Sequence, residues 1–190
     1  MDESLLTKLA VACQRGDQRS FRVLVEALTR PLIAMAYRYT GDWEWARDLT
    51  QETWVRVWER IESYDAERPF SHWLHAVHRN GCLDHVRRQW VRRETATASG
   101  VIERLAGSST DHPLAELERL EFQQRLRVAA EELTASQRAV FVRVDLEGGS
   151  QTAVAREMGM QPGNLRTTLH FARRRIARVL KAKEKGHGEP

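Results

Sequence analysis

The stretch from 150 to 180, SQTAVAREMGMQPGNLRTTLHFARRRIARVL, decides the fold of the carboxyl-terminal half of the chain. Ser150 can cap a short helix over residues 151–158, because its hydroxyl can accept from an unpaired N–H of the first turn. Gly159 suits a turn that needs a positive φ. Pro162 fits the first turn of a second helix, where its missing N–H would have no partner in any case. The stretch predicts two helices joined by a tight turn.

The internal spacing of this stretch is typical of a helix-turn-helix. Such a motif needs a small side chain where the helices cross, and Ala155 supplies it. It also needs an apolar anchor on the second helix, which is Leu165. Further upstream, Thr134 and Gln137 have the spacing of a capping box and predict the start of a preceding helix.

Basic residues dominate the second helix. Between Met158 and Lys183 the sequence has seven lysines and arginines and no acid. This pattern favours phosphate neutralisation along the helix, with base edges reached from its first turns. The alternative is a solvated basic helix beside a coincidental turn. The predicted DNA-binding residues are Asn164, Arg166, Thr167, His170, Arg173 and Arg174.

Composition limits the number of domains, the kind of partner and the cellular location to be expected. The chain has 190 residues, of which 42% are apolar and 29% charged, enough for one domain or two small ones. Lysine and arginine exceed aspartate and glutamate by 30 − 26 = 4, too small a margin to prove a polyanionic partner. Only two cysteines are present, and no stretch has the apolar length of a membrane span or the order of a signal peptide. We therefore expect a cytoplasmic protein without disulfides.

Helical spacing also dominates the amino-terminal half, and strand signals are weak throughout. Helix breaks are expected at Gly16-Asp17, near Pro31 and at Gly41-Asp42, and a long helix is expected over 70–93. Small and polar residues then predict a linker. The predicted fold is all-α, with two small helical domains joined by a flexible linker. The domain boundaries are 1–93, 94–113 for the linker, and 114–190.

Several segments in order resemble the sigma-70 family of transcription initiation factors. DLTQETWVRVW at 48–58 resembles the family's D-L-x-Q-E-x-F/W segment. FSHWL at 70–74 and DHVRR at 84–88 resemble its promoter-melting helix, and 133–180 resembles its region 4. The two-module build is similar to the extracytoplasmic-function (ECF) group. The resemblance implies an alternative sigma factor that binds core RNA polymerase and recognises the −10 and −35 elements of promoter DNA.

The resemblance also implies roles for residues of the first domain. Asp48, Gln51 and Glu52 would bind core RNA polymerase, with the apolar residues Leu49, Val55 and Trp58 packed inward. The segment from Ser63 to Phe70 resembles the loop that captures a flipped base of the −10 element. The residues predicted to bind DNA there are Tyr64, Asp65, Arg79, Asn80, Arg87 and Arg88, with Trp73 in the core. An anti-sigma factor is a further expected partner.

Two alternatives stay open at this level. The first is a two-domain regulator that binds operators through its helix-turn-helix without polymerase. The second is a metal-responsive regulator, because His75, His78, Cys82 and His85 share one helical face. At a rise of about 1.5 Å per residue, His75 and His85 lie roughly 15 Å apart along the axis, too far to share one ion. We expect no metal and no cofactor.

An enzyme is disfavoured by the motifs that the sequence lacks. It has no phosphate-binding glycine loop, no nucleophile elbow and no H-E-x-x-H segment. Asp84 and His85 are neighbours in the chain, and adjacent helical residues do not face each other. We expect no catalytic residues.

One departure from the family pattern lies inside the expected promoter-melting helix. Gly81 stands where an apolar residue is usual, and a glycine in a helix interior costs about 1 kcal/mol relative to alanine.

Overall fold

The structure is a computed structural model that describes residues 1–95 and 129–185. Within those ranges all regular structure is helical, which confirms the predicted all-α class. The chain forms two compact units, Met1–Val86 and Arg87–Pro190. The elements are α1 (Glu3–Gln14), α2 (Gln18–Thr40), α3 (Trp43–Arg60), a 3-10 turn (Ile61–Ser63), α4 (Phe70–Thr95), α5 (Ala135–Phe141), a π-helical turn (Val142–Leu146), α6 (Gln151–Met158) and α7 (Pro162–Lys185).

Parts of two predictions concern residues outside this description. Positions 94 and 95 of the predicted linker belong to α4, and the rest of the linker lies outside the described residues. The domain boundaries therefore stay a prediction. In the described ranges, no helix combines the length and the apolar character that crossing a bilayer requires.

Local residue chemistry sets the helix ends of the first unit. The carboxylate of Asp17 accepts from the Arg19 N–H at 3.0 Å and caps α2. Gly41 ends α2 in the left-handed conformation, with φ of 69°. Asp42 then caps α3 by accepting from the N–H groups of Glu44 and Trp45. The breaks predicted at Gly16-Asp17 and Gly41-Asp42 are confirmed.

The break predicted near Pro31 is wrong, because α2 continues through this residue. Pro31 and Ala27 are both exposed. Because proline has no N–H, the carbonyl of Ala27, four residues earlier, has no helical donor. Water can satisfy that carbonyl at the surface. Before and after the proline, Leu24, Leu32 and Met35 are buried, and their packing holds the two halves of α2 in line.

A hydrophobic cluster joins the helices of the first unit. The buried side chains come from α1, α2, α3, the 3-10 turn and the start of α4, and the largest fully enclosed ones include Phe70, Leu24, Leu32 and Leu74. Trp73 packs against this core, half-buried, as predicted. The core leaves one long side of α3 exposed.

The helix-turn-helix of the second unit is confirmed in its details. Thr134 and Gln137 form a reciprocal capping box at the start of α5. The hydroxyl of Ser150 caps α6, and Gly159 ends α6 with φ of 63°. Ala155 and Leu165 are buried where α6 meets α7.

An ion-pair network fixes the π-helical turn to α6. The buried guanidinium of Arg143 donates to both carboxylate oxygens of Glu157, the shorter bond being 2.8 Å. It also donates to Glu147 at 2.9 Å. The backbone of Gly149 closes against the same turn, since a Cβ at that position would lie 2.7 Å from the Arg143 carbonyl oxygen. This rigid corner presents α7 on the surface of the unit.

Candidate functional site

One side of α3 is exposed and carries the residues predicted to bind polymerase. Asp48, Gln51 and Glu52 all lie on the surface, at spacings of three and four residues that place them on one helix face. The opposite side enters the core through Leu49, Thr53, Trp54 and Val57. Two acids, an amide and their neighbours therefore form a continuous surface that no described helix covers.

Two apolar residues complete this surface, and the prediction that they pack inward is wrong. Val55 is 58% exposed and Trp58 is 38% exposed. The buried residues of α3 follow a helical phase in which Trp54 and Val57 point inward, so Val55 falls on the outer side. Trp58 lies at the edge of this side, where its ring meets Phe21 with centroids 4.8 Å apart. Hereafter the exposed strip of α3 means Asp48, Gln51, Glu52, Val55 and Trp58.

Gly81 explains how α4 lies so close to the exposed strip. A Cβ at this position would lie 2.7 Å from Nη1 of Arg56, so the glycine leaves room for the guanidinium. The other terminal nitrogen of Arg56 donates to Glu52 at 2.9 Å. The glycine in the helix interior thus serves the position of Arg56, which in turn orients Glu52.

The loop between the 3-10 turn and α4 is held from inside. Tyr64 is buried, and its hydroxyl donates to the Arg68 carbonyl at 2.6 Å. Its ring meets Phe70 edge-on at a centroid distance of 5.3 Å. The side-chain amide of Gln14 donates to the Tyr64 carbonyl at 2.7 Å. Tyr64, predicted to bind DNA, is placed in the core and positions the loop instead of lying on its surface.

The outer part of the same loop is exposed. Asp65 lies on the surface, where its carboxylate accepts from the Glu67 N–H at 3.0 Å and pairs with Arg68 at 3.5 Å. All residues from 65 to 69 are exposed. The loop is anchored in the core through Tyr64 while residues 65–69 are accessible, so it can hold a ligand without rearranging.

The other predicted −10 residues lie along α4. Asn80, Arg87 and Arg88 are exposed. The amide of Asn80 and the guanidinium groups of the two arginines are therefore accessible to DNA. Arg79 is half-buried, and its Nε is enclosed with no acceptor in the part of the chain that is described. The Arg79 side chain is therefore the least accessible of this set.

On α7 the predicted DNA-binding residues lie on the outer side. Leu165, Leu169, Ala172 and Ile176 are buried and define the inner side. The exposed residues are Asn164, Arg166, Thr167, His170, Arg173 and Arg174. The hydroxyl of Thr167 donates to the Gly163 carbonyl at 3.1 Å, which leaves both lone pairs of its oxygen to accept a further hydrogen bond. All six side chains are exposed, but Asn164 and Arg173, nine residues apart, lie at opposite edges of this outer side.

Sequence reasoning missed Phe171, which is 51% exposed on the same side of α7. It was not among the residues predicted to bind DNA. The spacing of apolar residues could have revealed its exposure. The inner residues recur at i, i+4, i+7 and i+11 from Leu165, whereas Phe171 stands at i+6 and so falls on the outer side.

The histidine and cysteine residues of α4 are mostly engaged in packing. His78 is fully buried, and its Nε2 lies 2.8 Å from the Leu32 carbonyl oxygen, which can only accept, so Nε2 donates. In the neutral ring Nδ1 then accepts from the Thr53 hydroxyl at 2.7 Å. Burial lowers the pKa of His78 to about 4. The ring is therefore neutral near pH 7 with both nitrogens engaged.

Among the other members of this set, Cys82 lies beside His78, with its Sγ 3.9 Å from Nε2 of the ring. Cys82 is buried, and the ring of His85 contacts Trp45 at a centroid distance of 4.3 Å, while His75 is exposed. Across residues 1–95 and 129–185, no group of three or more potential ligands is arranged to hold a metal ion.

Comparison with known proteins places this two-unit helical chain in a class. Residues 24–92 match the family model of sigma-70 region 2, and residues 123–176 match that of sigma-70 region 4. The first match contains the exposed strip of α3, the loop and most of α4. The second contains the helix-turn-helix.

Relatives agree with both matches over most of their length. The ECF RNA polymerase sigma factor SigL of Mycobacterium tuberculosis is 33% identical over 162 residues, which are 84% of this chain and 88% of the relative. The RNA polymerase sigma factor CnrH of Cupriavidus metallidurans is 30% identical over 179 residues, 92% of this chain and 93% of the relative. This chain belongs to the sigma-70 family of RNA polymerase sigma factors, in its ECF group.

A solved structure supports the fold. The sigma factor RpoE of Bartonella quintana, solved in complex with the anti-sigma factor NepR, covers 86% of this chain with a TM-score of 0.52 at 20% identity, and 98% of that chain is matched. The protein is an alternative sigma factor that directs transcription from promoters, as the resemblance implied. This function favours a polymerase-dependent protein over the operator-binding alternative.

Proposed function

We propose that the exposed strip of α3 is the surface through which this sigma factor binds core RNA polymerase. The observation that carries this proposal is the exposure of Val55 and Trp58 beside Asp48, Gln51 and Glu52. An apolar centre with a polar rim is the usual composition of a protein interface. Arg56 keeps Glu52 in place through its ion pair, so less freedom is lost when a partner binds.

The −10 element is assigned to the loop at 64–69 and to α4. Opening a base pair and extruding a base costs a few kcal/mol, which a preformed site can offset. Tyr64 holds the loop in shape from the inside, and Asp65 stands on its accessible rim. Asn80 offers an amide that can both donate to and accept from a base edge. Arg87 and Arg88 supply exposed charge for phosphates, with Arg79 contributing less because it is half-buried.

The −35 element is assigned to the outer side of α7. In a helix-turn-helix the second helix enters the major groove with its first turns at the base edges. Asn164, Arg166, Thr167 and His170 occupy the first three turns, and Arg174 follows with charge for the backbone. Linking the two DNA contacts through one polymerase makes the second contact intramolecular, so the pair binds more tightly than either alone.

An anti-sigma factor is proposed as a second protein partner, on the strength of the Bartonella quintana relative that was solved with one. A partner that covers the exposed strip of α3 would compete with polymerase for this sigma factor. An anti-sigma factor of this kind should lose affinity for a Val55→Asp variant and should be displaced by core enzyme.

We further propose that the protein works in the cytoplasm and has no catalytic activity of its own. It would supply promoter specificity and strand opening to the polymerase, which performs the synthesis of RNA.

The test is run-off transcription with the full chain, core RNA polymerase and a promoter library. Wild-type protein should co-elute with core enzyme and direct initiation from a defined subset of promoters. A Gln51→Ala, Glu52→Arg double variant should lose both properties. Its matched control is Glu26→Arg, which changes an exposed acid on α2 outside the strip. Wild-type chain that neither co-elutes with core enzyme nor changes initiation would overturn the proposal.

A further inference from the structure

Phe171 is an unexplained residue on a surface whose other members all suit DNA. It is a large apolar side chain, 51% exposed, in the third turn of α7. Exposing an aromatic ring to water is unfavourable, because burying it is worth about 1.5–3 kcal/mol. Its ring meets the ring of His170 edge-on, at a centroid distance of 5.7 Å. This contact limits the ring's orientations without covering it.

The charges around Phe171 define what can cover it. Thr167 precedes it by four residues, and Arg174 and Arg178 follow by three and seven, so all of them share the outer side of the helix. No acid occurs between Met158 and Lys183. The molecule that covers Phe171 must therefore carry several negative charges to neutralise the arginines. It must also present an apolar group between those charges.

The major groove of DNA meets both requirements. Its phosphates neutralise arginines, and thymine projects a C5-methyl group into the groove, where apolar side chains contact it. Other apolar partners, such as a hydrophobic protein groove, would leave Arg174 and Arg178 without counter-charges. We propose that Phe171 contacts a thymine methyl group in the −35 element and so determines part of the promoter specificity.

The position of this thymine follows from the helix geometry. Phe171 lies seven residues after Asn164, which is about 10 Å along the axis at 1.5 Å per residue. This length exceeds the 3.4 Å between successive bases of one strand. The thymine should therefore stand apart from the base that Asn164 contacts. The inference rests on the proposed function of α7.

The experiment replaces thymine by uracil, which removes the methyl group and leaves every hydrogen-bonding group in place. Holoenzyme made from core RNA polymerase and the full wild-type chain first selects sites from duplexes with a randomised −35 region. Each thymine of the selected site is then changed to uracil, one at a time, and holoenzyme affinity is measured. Wild-type affinity should fall about fourfold at one thymine, the effect expected for one buried methyl-sized group.

Three variants isolate the side chain responsible. Phe171→Ala should bind the thymine and uracil duplexes equally at that position and keep any other thymine preference. Phe171→Leu, which retains an apolar side chain, should keep a reduced preference. Leu146→Ala is the matched control, because it shortens another exposed apolar residue of the same unit, 47% exposed, outside α7. This control should behave as wild type.

The outcomes separate this inference from the function on which it rests. Selection that enriches no −35 sequence would overturn both. Selection that succeeds with no uracil-sensitive thymine would overturn the role of Phe171 alone. The same follows if Phe171→Ala keeps the wild-type sensitivity at the same position.

Discussion

Arg173 is bound by Asp145 through two hydrogen bonds, with Nε donating to one carboxylate oxygen at 2.9 Å and Nη2 donating to the other. This bidentate pair raises the pKa of Arg173 and fixes its side chain beside the π-helical turn. Arg174, its neighbour in sequence, points to the outer side of α7. Arg174 therefore presents its positive charge to DNA, whereas the charge of Arg173 is already neutralised by Asp145.

The first prediction concerns the salt dependence of promoter binding. Arg174→Ala should reduce the slope of log K against log salt by about 0.9, the value of one phosphate contact. Arg173→Ala should reduce it by less than half as much, because Asp145 already neutralises that guanidinium. Holoenzyme affinity for one promoter duplex, measured over a series of salt concentrations, gives both slopes. Equal reductions in the two variants would contradict the distinction.

The second prediction concerns the exposed strip of α3. Val55→Asp should weaken binding to core polymerase at least about tenfold, because a charge would replace an apolar group at the centre of the interface. The thermal midpoint of the free chain should hardly change, since Val55 is 58% exposed. Competition against labelled wild-type chain measures the affinity. Val23→Asp, at a valine of α2 that is 42% exposed, should retain wild-type affinity, and a similar loss there would contradict the assignment.

Helix ends and the helix-turn-helix could be predicted because they depend on local chemistry. Gly41, Asp42 and Gly159 act on the backbone within a few residues of themselves, through a positive φ or a capping carboxylate. The same local rule failed at Pro31. There the lost hydrogen bond and the clash of the ring with the preceding turn cost about 3 kcal/mol, and the packing of Leu24 and Leu32 outweighs this cost.

The surfaces of α3 and α7 were harder to predict because apolar residues stand on both sides of each helix. Trp54 and Trp58 are the same residue type four positions apart, yet one is buried and the other half exposed. Only the tertiary packing decides, through contacts such as the bond from the Trp54 indole N–H to the Thr29 hydroxyl at 3.0 Å. Tyr64 was predicted to lie on the DNA-binding surface, yet it is buried. A polar hydroxyl can be buried here because it donates to a carbonyl of the same loop.

The third prediction concerns the glycine in the interior of α4. Gly81→Ala should raise the stability of the first unit by about 0.5 kcal/mol. Alanine gains about 1 kcal/mol of helix propensity, whereas the displaced tip of Arg56 loses an exposed ion pair worth about 0.3–0.5 kcal/mol. Thermal unfolding measures the net effect, with Arg56→Ala, Gly81→Ala as the double variant that removes the clash. Destabilisation by Gly81→Ala would contradict this balance, and relief of that loss in the double variant would assign it to the clash with Arg56.

The fourth prediction concerns pH, through the buried ring of His78. Its pKa is about 4 in the folded protein, whereas an unfolded histidine titrates near 6.5. Below pH 6.5 the unfolded chain therefore takes up a proton that the folded chain does not, and stability falls as the pH falls. The loss due to His78 between pH 7 and pH 5 should be about 2 kcal/mol, and stability above pH 7 should not depend on this group.

Two measurements check the role of His78. His78→Gln should be less stable than wild type at pH 7, because it breaks the bonds to Leu32 and Thr53, but its stability should depend less on pH between 7 and 5. His170→Gln, at an exposed histidine, should keep the wild-type pH dependence. If the His78 variant does not fold, NMR titration of the wild-type ring decides. A ring that titrates near 6.5 in the folded protein would show that His78 does not cause the acid sensitivity.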